Sequence, residues 1–156
     1  MGLCGISDMR IAANTRAERA TQEVMYYGQN GEDPYGINVS RMDSHGGWLA
    51  TPKDLVLFLA RVDGFKSSQN ILRPETIRQM TTPCAVNSGY ARGWATNSLG
   101  NWWHIGSLPG TTAIAVRTSS GFCWAALTNT RRQPDMDLAL DNMVWEMARK
   151  VHAWKI

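Results

Sequence analysis

The sequence is short of the features that mark several protein classes. Among its 156 residues only three are Cys (Cys4, Cys84 and Cys123), an odd number with no C-x-x-C pair. A disulfide framework or a thiolate metal site is therefore not expected. Cys84 follows Pro83 in a polar stretch and Cys123 sits in the apolar run Phe122-Cys123-Trp124-Ala125-Ala126-Leu127, so both read as ordinary reduced thiols. The three histidines, His45, His104 and His152, stand far apart, and none has a second ligand at metal-binding spacing. No metal and no cofactor is expected. Charge is sparse: 19% of residues are charged, with a net charge of +3. Lys and Arg are scattered rather than gathered in a stripe, which argues against a nucleic-acid surface. No apolar run approaches the length that spans a bilayer, and the opening MGLCGISDMR has neither the basic start nor the apolar stretch of a signal peptide. The expectation is a soluble chain without an export signal, cytoplasmic by default.

What is present is material for one core. Hydrophobic residues make up 44% of the chain, with seven Trp and eight Met, and a chain of this size buries roughly two-thirds of its unfolded surface. Residues 1–156 therefore read as a single domain. Residues 1–47 are rich in turn formers and read as an irregular lobe, with one strand-like run at Glu23–Tyr27. Helices are expected over 48–83. Thr51 is a good N-cap, Pro52 fits the first helical position and Asp54 the third, with Gly64 ending the helix near Asp63. A shorter helix starts at Pro74 and stops at Thr81-Thr82-Pro83. Residues 90–129 change period: Tyr90–Asn97, Trp102–Ser107, Thr111–Thr118 and Gly121–Thr128 are short aromatic and β-branched runs parted by turn residues, which spells an antiparallel meander. From Asp135 to Trp154, Leu140, Val144, Met147, Val151 and Trp154 recur four and three apart, one stripe of a long helix. The fold class is α+β: a meander of about four strands covered by a long C-terminal helix, with a loop-rich N-terminal part and two short helices.

One segment stands out, Trp103-His104-Ile105-Gly106-Ser107-Leu108-Pro109-Gly110. A glycine inside a strand lets a backbone or ligand approach, because no Cβ intervenes. Upstream, Gly46-Gly47, Thr51, Asp54-Leu55 and Phe58 form a collinear set. Leu72-Arg73-Pro74-Glu75-Thr76 with Met80-Thr81-Thr82-Pro83 follows, then Tyr90-Ala91-Arg92-Gly93-Trp94, and the run ending Leu127-Thr128-Asn129. In this order the segments resemble the serine β-lactamase and penicillin-binding-protein superfamily, in its class C β-lactamase and esterase-like branch. Even Gly2–Met9 is similar to that branch's P-L-G-M-x-D-T stretch. The likeness covers nearly the whole chain and corresponds to the C-terminal half of such a protein.

The resemblance implies a β-lactamase-like fold, in part, and a site wall carried on the strand where K-T-G belongs. His104 falls at the basic position, Gly106 keeps the wall open, and the backbone amide of Ser107 is the expected oxyanion donor. Ile105 stands where a hydroxyl residue is usual, which favours an esterase or peptidase-like ancestry over a β-lactamase. Trp102, Trp103, His104 and Ile105 are the expected binding residues for a small acyl or ester ligand. The family's nucleophile is the Ser of S-x-x-K, but no Ser here has Lys three residues later. Ser7 comes nearest, followed by Arg10, and Arg does not lose a proton to serve as a base. No G-x-S-x-G elbow occurs, and none of the four Tyr has Asn two residues on. No complete catalytic set is expected, so the chain alone should be inactive. The alternative is a non-enzymatic module that binds a small ligand or a protein. The resemblance also implies that the strand Phe122–Thr128 is a free apolar edge, through which the chain pairs as a homodimer or with a separate chain supplying the other half.

Overall fold

The computed structural model describes residues 1–132 and 134–151. His152 and Trp154, expected in the last helix, lie outside them. Residues up to 47 form a lobe of short 3₁₀ turns, Gly2–Cys4, Arg16–Glu18, Val39–Arg41 and Asp43–His45. Their hydrogen bonds are side-chain assisted, some local and some not: the Arg41 amide donates to Asn38 Oδ1, while the Ser40 amide donates to Asn14 Oδ1, 26 residues away. A two-residue strand, β1 (Arg10–Ile11), pairs antiparallel with β2 (Trp48–Leu49), closing the lobe across the 36 residues between them. The strand-like run Glu23–Tyr27 is a loop instead, ending in the parallel bridge Tyr27–Thr130.

Helix α1 (Pro52–Ala60) begins as its sequence dictates. The Thr51 hydroxyl accepts the Asp54 amide, and the Asp54 carboxylate accepts the Thr51 amide at 2.8 Å, a reciprocal capping box that satisfies donors the helix itself leaves open. It ends at Ala60, earlier than the expected Asp63, because the Arg61 and Val62 amides turn to the carbonyls three residues back. The loop that follows is held by Asp63, whose carboxylate accepts the Phe65 amide and whose carbonyl accepts Arg117 Nε at 3.0 Å. Helix α2 (Pro74–Thr81) has Pro at its first position, where a missing N–H costs nothing.

The main sheet is a four-stranded antiparallel meander: β3 (Ala95–Thr96), β4 (Trp102–Leu108), β5 (Thr111–Arg117) and β6 (Cys123–Thr128), in that spatial order. The expected strand Tyr90–Asn97 shrinks to β3 because its first half is spent on turns, with the Ala91 amide bonded to the Trp94 carbonyl and the Cys84 amide to the Tyr90 carbonyl. Helix α3 (Met136–Lys150) covers one face, packing Leu140, Val144 and Trp145 on Ile114, Val116, Trp124 and Ala126. The other face meets Leu59 and Val62 with Trp94 and Trp102. The sheet thus has two cores, and each large side chain buried in them stabilises the fold by roughly 1.5–3 kcal/mol.

A clasp joins the lobe to the far end of β6. The Tyr27 amide donates to the Asn129 carbonyl at 3.0 Å, Asn129 Nδ2 to the Met25 carbonyl at 2.9 Å, and Thr130 Oγ1 to the Tyr27 carbonyl at 3.1 Å. Arg131 grips the Glu32 carboxylate with two nitrogens. β6 has one strand neighbour, β5. Because the Asn129 carbonyl faces Tyr27 and main-chain direction alternates along a strand, the groups of Cys123, Ala125 and Leu127 also face away from β5. β6 is thus the last strand of the described sheet, met by the lobe at its C-terminal end, while Phe122, expected to open the edge, precedes the strand.

Candidate active-site wall

The β4–β5 hairpin is the element that would carry chemistry, and its turn explains its seat. Pro109 and Gly110 link Leu108 to Thr111, with Gly110 at φ +77. A Cβ at Gly110 would stand 2.8 Å from Tyr26 Cβ and 2.9 Å from Pro34 Cβ, so glycine lets the hairpin tip press into the lobe.

Main-chain direction along β4 follows from two bonds. The Thr96 amide donates to the Gly89 carbonyl, away from β4, and the Asn97 amide to the Asn101 carbonyl. The hydrogen-bonded pair of the β3–β4 ladder is therefore Ala95 with Trp103. By alternation the main-chain groups of Ile105 and Ser107 point the same way as those of Trp103, beyond the end of β3. The Ser107 main-chain groups thus face outward from the sheet's β4 edge.

Side chains alternate as well. Trp102, His104 and Gly106 face the α1 side of the sheet, while Trp103, Ile105 and Ser107 face the α3 side, opposite Val116, Ile114 and Thr112. Trp102 is 4% exposed and locked among Leu59, Val62 and Trp94, with its ring 4.4 Å from that of Trp94. Trp103 packs against the α3 core. Neither tryptophan opens onto a cleft beside His104, so the expected grouping of Trp102, Trp103, His104 and Ile105 around one ligand does not form. His104, Ile105, Gly106 and Ser107 are all exposed.

Gly106 is unlike Gly110. A Cβ built on it meets no atom within 4 Å, and its φ lies outside the left-handed region. Neither backbone conformation nor packing among the described residues asks for glycine there. What the position offers is an open flank beside His104.

The hairpin tip also borders a cleft of about 690 Å³ between the lobe and the sheet, lined among others by Tyr26, Tyr35, Trp48, Leu108 and Thr128. No motif marks it, because its walls come from segments as distant in sequence as Asp8 and Thr130. The Tyr35 hydroxyl is buried without a hydrogen-bond partner, and the Tyr26 and Tyr35 rings meet edge to face at 6.0 Å. Burial, with the Glu23 carboxylate beside it, holds the Tyr26 hydroxyl protonated far above its usual range.

Other candidates are structural. Ser68-Gln69-Asn70 pairs a hydroxyl with an amide two residues on, and these side chains staple the α1–α2 loop. Ser68 Oγ donates to the Ala60 carbonyl, Asn70 Nδ2 to the Phe65 carbonyl, and Asn70 Oδ1 accepts the Gly64 amide. His45 closes a 3₁₀ turn before Gly46. Burial pushes the Cys123 thiol up to about 11, so it is protonated at neutral pH. Among the described residues no group of three or more His, Cys, Asp or Glu could hold a metal ion, and no helix is long and apolar enough to cross a membrane.

None of the curated proteins compared with the chain matches it. A family model does: the one described as Beta-lactamase, over residues 5–144, a span running from just after the first 3₁₀ turn into α3 and including the whole β4–β5 hairpin. With nearly all its length matched and its α+β arrangement that of part of a β-lactamase fold, the chain belongs to the beta-lactamase family of serine hydrolase-like proteins.

Proposed function

We propose that the chain supplies the β4 wall of an acyl-transfer site, and that the nucleophile and its base come from a polypeptide segment outside these residues. The observation that carries this is Gly106: a strand glycine whose flank is open and which nothing in the chain requires. In this reading a substrate acyl group lies along that flank. The Ser107 amide contributes one oxyanion donor, and His104 provides a hydrogen-bonding group for the leaving side or a substrate carboxylate. One donor without a nucleophile leaves only part of the electrostatic contribution to acyl transfer. The chain alone is therefore not catalytic. The edge of β6, where the main-chain groups of Cys123, Ala125 and Leu127 point away from β5, is the surface on which the completing segment pairs.

The test is intact-mass spectrometry of the folded chain after incubation with a fluorophosphonate and, separately, with a penicillin. No adduct is expected from either. A stoichiometric adduct on a single Ser would overturn the reading. A second reading, a ligand-binding module without catalysis, is favoured by the cleft beside Tyr35, whose buried hydroxyl would be satisfied by a polar group of a ligand.

A further inference from the structure

The turn that carries the Glu32 end of the clasp contains the pair Asn30-Gly31. Asn30 has φ 53 and Gly31 φ 81, and the Glu32 amide donates to the Gln29 carbonyl at 3.0 Å. Two positive φ angles under one such bond make a type I′ turn, for which Asn-Gly is the preferred pair. The limbs of the turn are tied to the clasp. The Gln29 amide donates to the Glu32 carboxylate at 3.3 Å, and Arg131 grips that same carboxylate. A Cβ at Gly28 would overlap the Glu32 carbonyl, so the limbs are pressed together. The tip is open by contrast. Asn30 and Gly31 are exposed, and a Cβ built on Gly31 meets no atom within 4 Å. Among the described residues neither the Asn30 side chain nor the Gly31 amide makes a hydrogen bond. An exposed carboxamide thus precedes an unhindered and uncommitted amide nitrogen.

We propose that Asn30 is a site of spontaneous deamidation, and that the clasp sets its rate. The Gly31 nitrogen attacks Asn30 Cγ. A new C–N bond forms there as the bond from Cγ to the side-chain nitrogen breaks, and that nitrogen leaves as ammonia with the proton given up by Gly31. Water then opens the five-membered imide at either carbonyl, leaving aspartate or a β-linked isoaspartate. Each product carries one more negative charge than the parent, and no electrons are exchanged. Glycine at 31 matters because a Cβ would shield the attacking nitrogen. Closing the ring turns that nitrogen towards Cγ, a rotation about the Asn30 Cα–C bond that the closed turn resists. The reaction therefore runs from transiently opened turns, whose population the Arg131–Glu32 grip keeps low. An isoaspartate places an extra methylene in the main chain of a four-residue turn, which loosens the clasp in return.

The experiment holds the folded full chain at mildly alkaline pH for days, beside the same chain in urea, and maps the mass gain of amide to acid by peptide. The gain is expected at Asn30 ahead of Asn87 and Asn97, which are also exposed but are followed by Ser. Glu32→Gln and Arg131→Gln, which release the grip, should each raise the rate at Asn30 about twofold to fivefold, and unfolding in urea should raise it further. The aged parent should melt lower than the fresh one. Asn30→Gly, which keeps a residue suited to positive φ in the turn, should show no gain at that position and keep its melting temperature on ageing. The proposal is overturned if folded Asn30 reacts no faster than Asn87 and Asn97, if its rate is the same in the parent and in both grip variants, or if the deamidated chain melts as the fresh chain does.

Discussion

Replacing Gly106 with Ala separates a glycine kept for the fold from one kept for a site. In a strand, Gly forfeits about 0.5–1 kcal/mol relative to Ala, because it surrenders more freedom on folding. That loss is normally offset by a conformation or a contact that Cβ would forbid, and at Gly106 neither exists: φ is ordinary and the added methyl meets nothing within 4 Å. Gly106→Ala should therefore stabilise the chain by about 0.5–1 kcal/mol, a rise of about 1–4 °C in melting temperature for a chain of this length. Gly110→Ala is the internal contrast. There φ is +77 and Cβ would stand 2.8 Å from Tyr26 Cβ, so backbone strain of about 1–2 kcal/mol adds to an overlap of similar size. Urea titration of the two variants beside the parent, with unchanged slopes, gives both numbers. If Gly106→Ala loses more than about 1 kcal/mol, the glycine belongs to the fold and the argument for an open wall fails. If it gains stability, the same methyl should impair acyl transfer once a nucleophile-bearing segment is present, the opposition of stability and activity typical of functional sites.

Three other outcomes are expected. Leu59 is fully buried between α1 and the sheet, so Leu59→Ala should cost about 2–5 kcal/mol and leave the chain largely unfolded by circular dichroism near 37 °C. The bidentate Arg131 contact holds the Glu32 carboxyl below its usual range. Its contribution is thus complete above the pKa of the unfolded chain and fades as pH falls through the folded value. Glu32→Gln should lower the melting temperature at neutral pH, with the two melting curves converging in acid; a gap unchanged at low pH would contradict this. Finally, Cys84 is exposed, Cys4 buried, and Cys123 held protonated by burial. A maleimide at neutral pH should label Cys84 first, with Cys4 and Cys123 labelled only on unfolding, as peptide mass mapping would show.

The parts of the fold legible in the sequence are those whose causes are local. The hairpins announce themselves through alternation and Pro109-Gly110, and α1 through Thr51 and Asp54, whose capping box depends on residues three apart. The lobe is opaque for the opposite reason. Its order rests on single bonds such as Ser40 to Asn14 and on a two-residue pairing of Arg10–Ile11 with Trp48–Leu49, none of which leaves a period. Tyr90–Asn97 has strand composition, yet hydrogen bonds among residues 84–94 draw most of it into turns. At the wall, His104, Gly106 and Ser107 could be named from their motif, but Trp102 and Trp103 could not be told from ligand-binding aromatics by type. Their alternation into two cores decided that.

The clasp between the lobe and the end of β6 has a kinetic consequence. Asn129 and Met25 are 104 positions apart, and Arg131 and Glu32 are 99 apart, while the meander closes through turns of a few residues. Bringing such distant ends together loses chain entropy that only an already formed sheet can repay. The lobe should therefore dock late, after the folding barrier. Weakening Asn129 or Arg131 would then leave the refolding rate nearly unchanged and show itself in the rate at which the native chain comes apart.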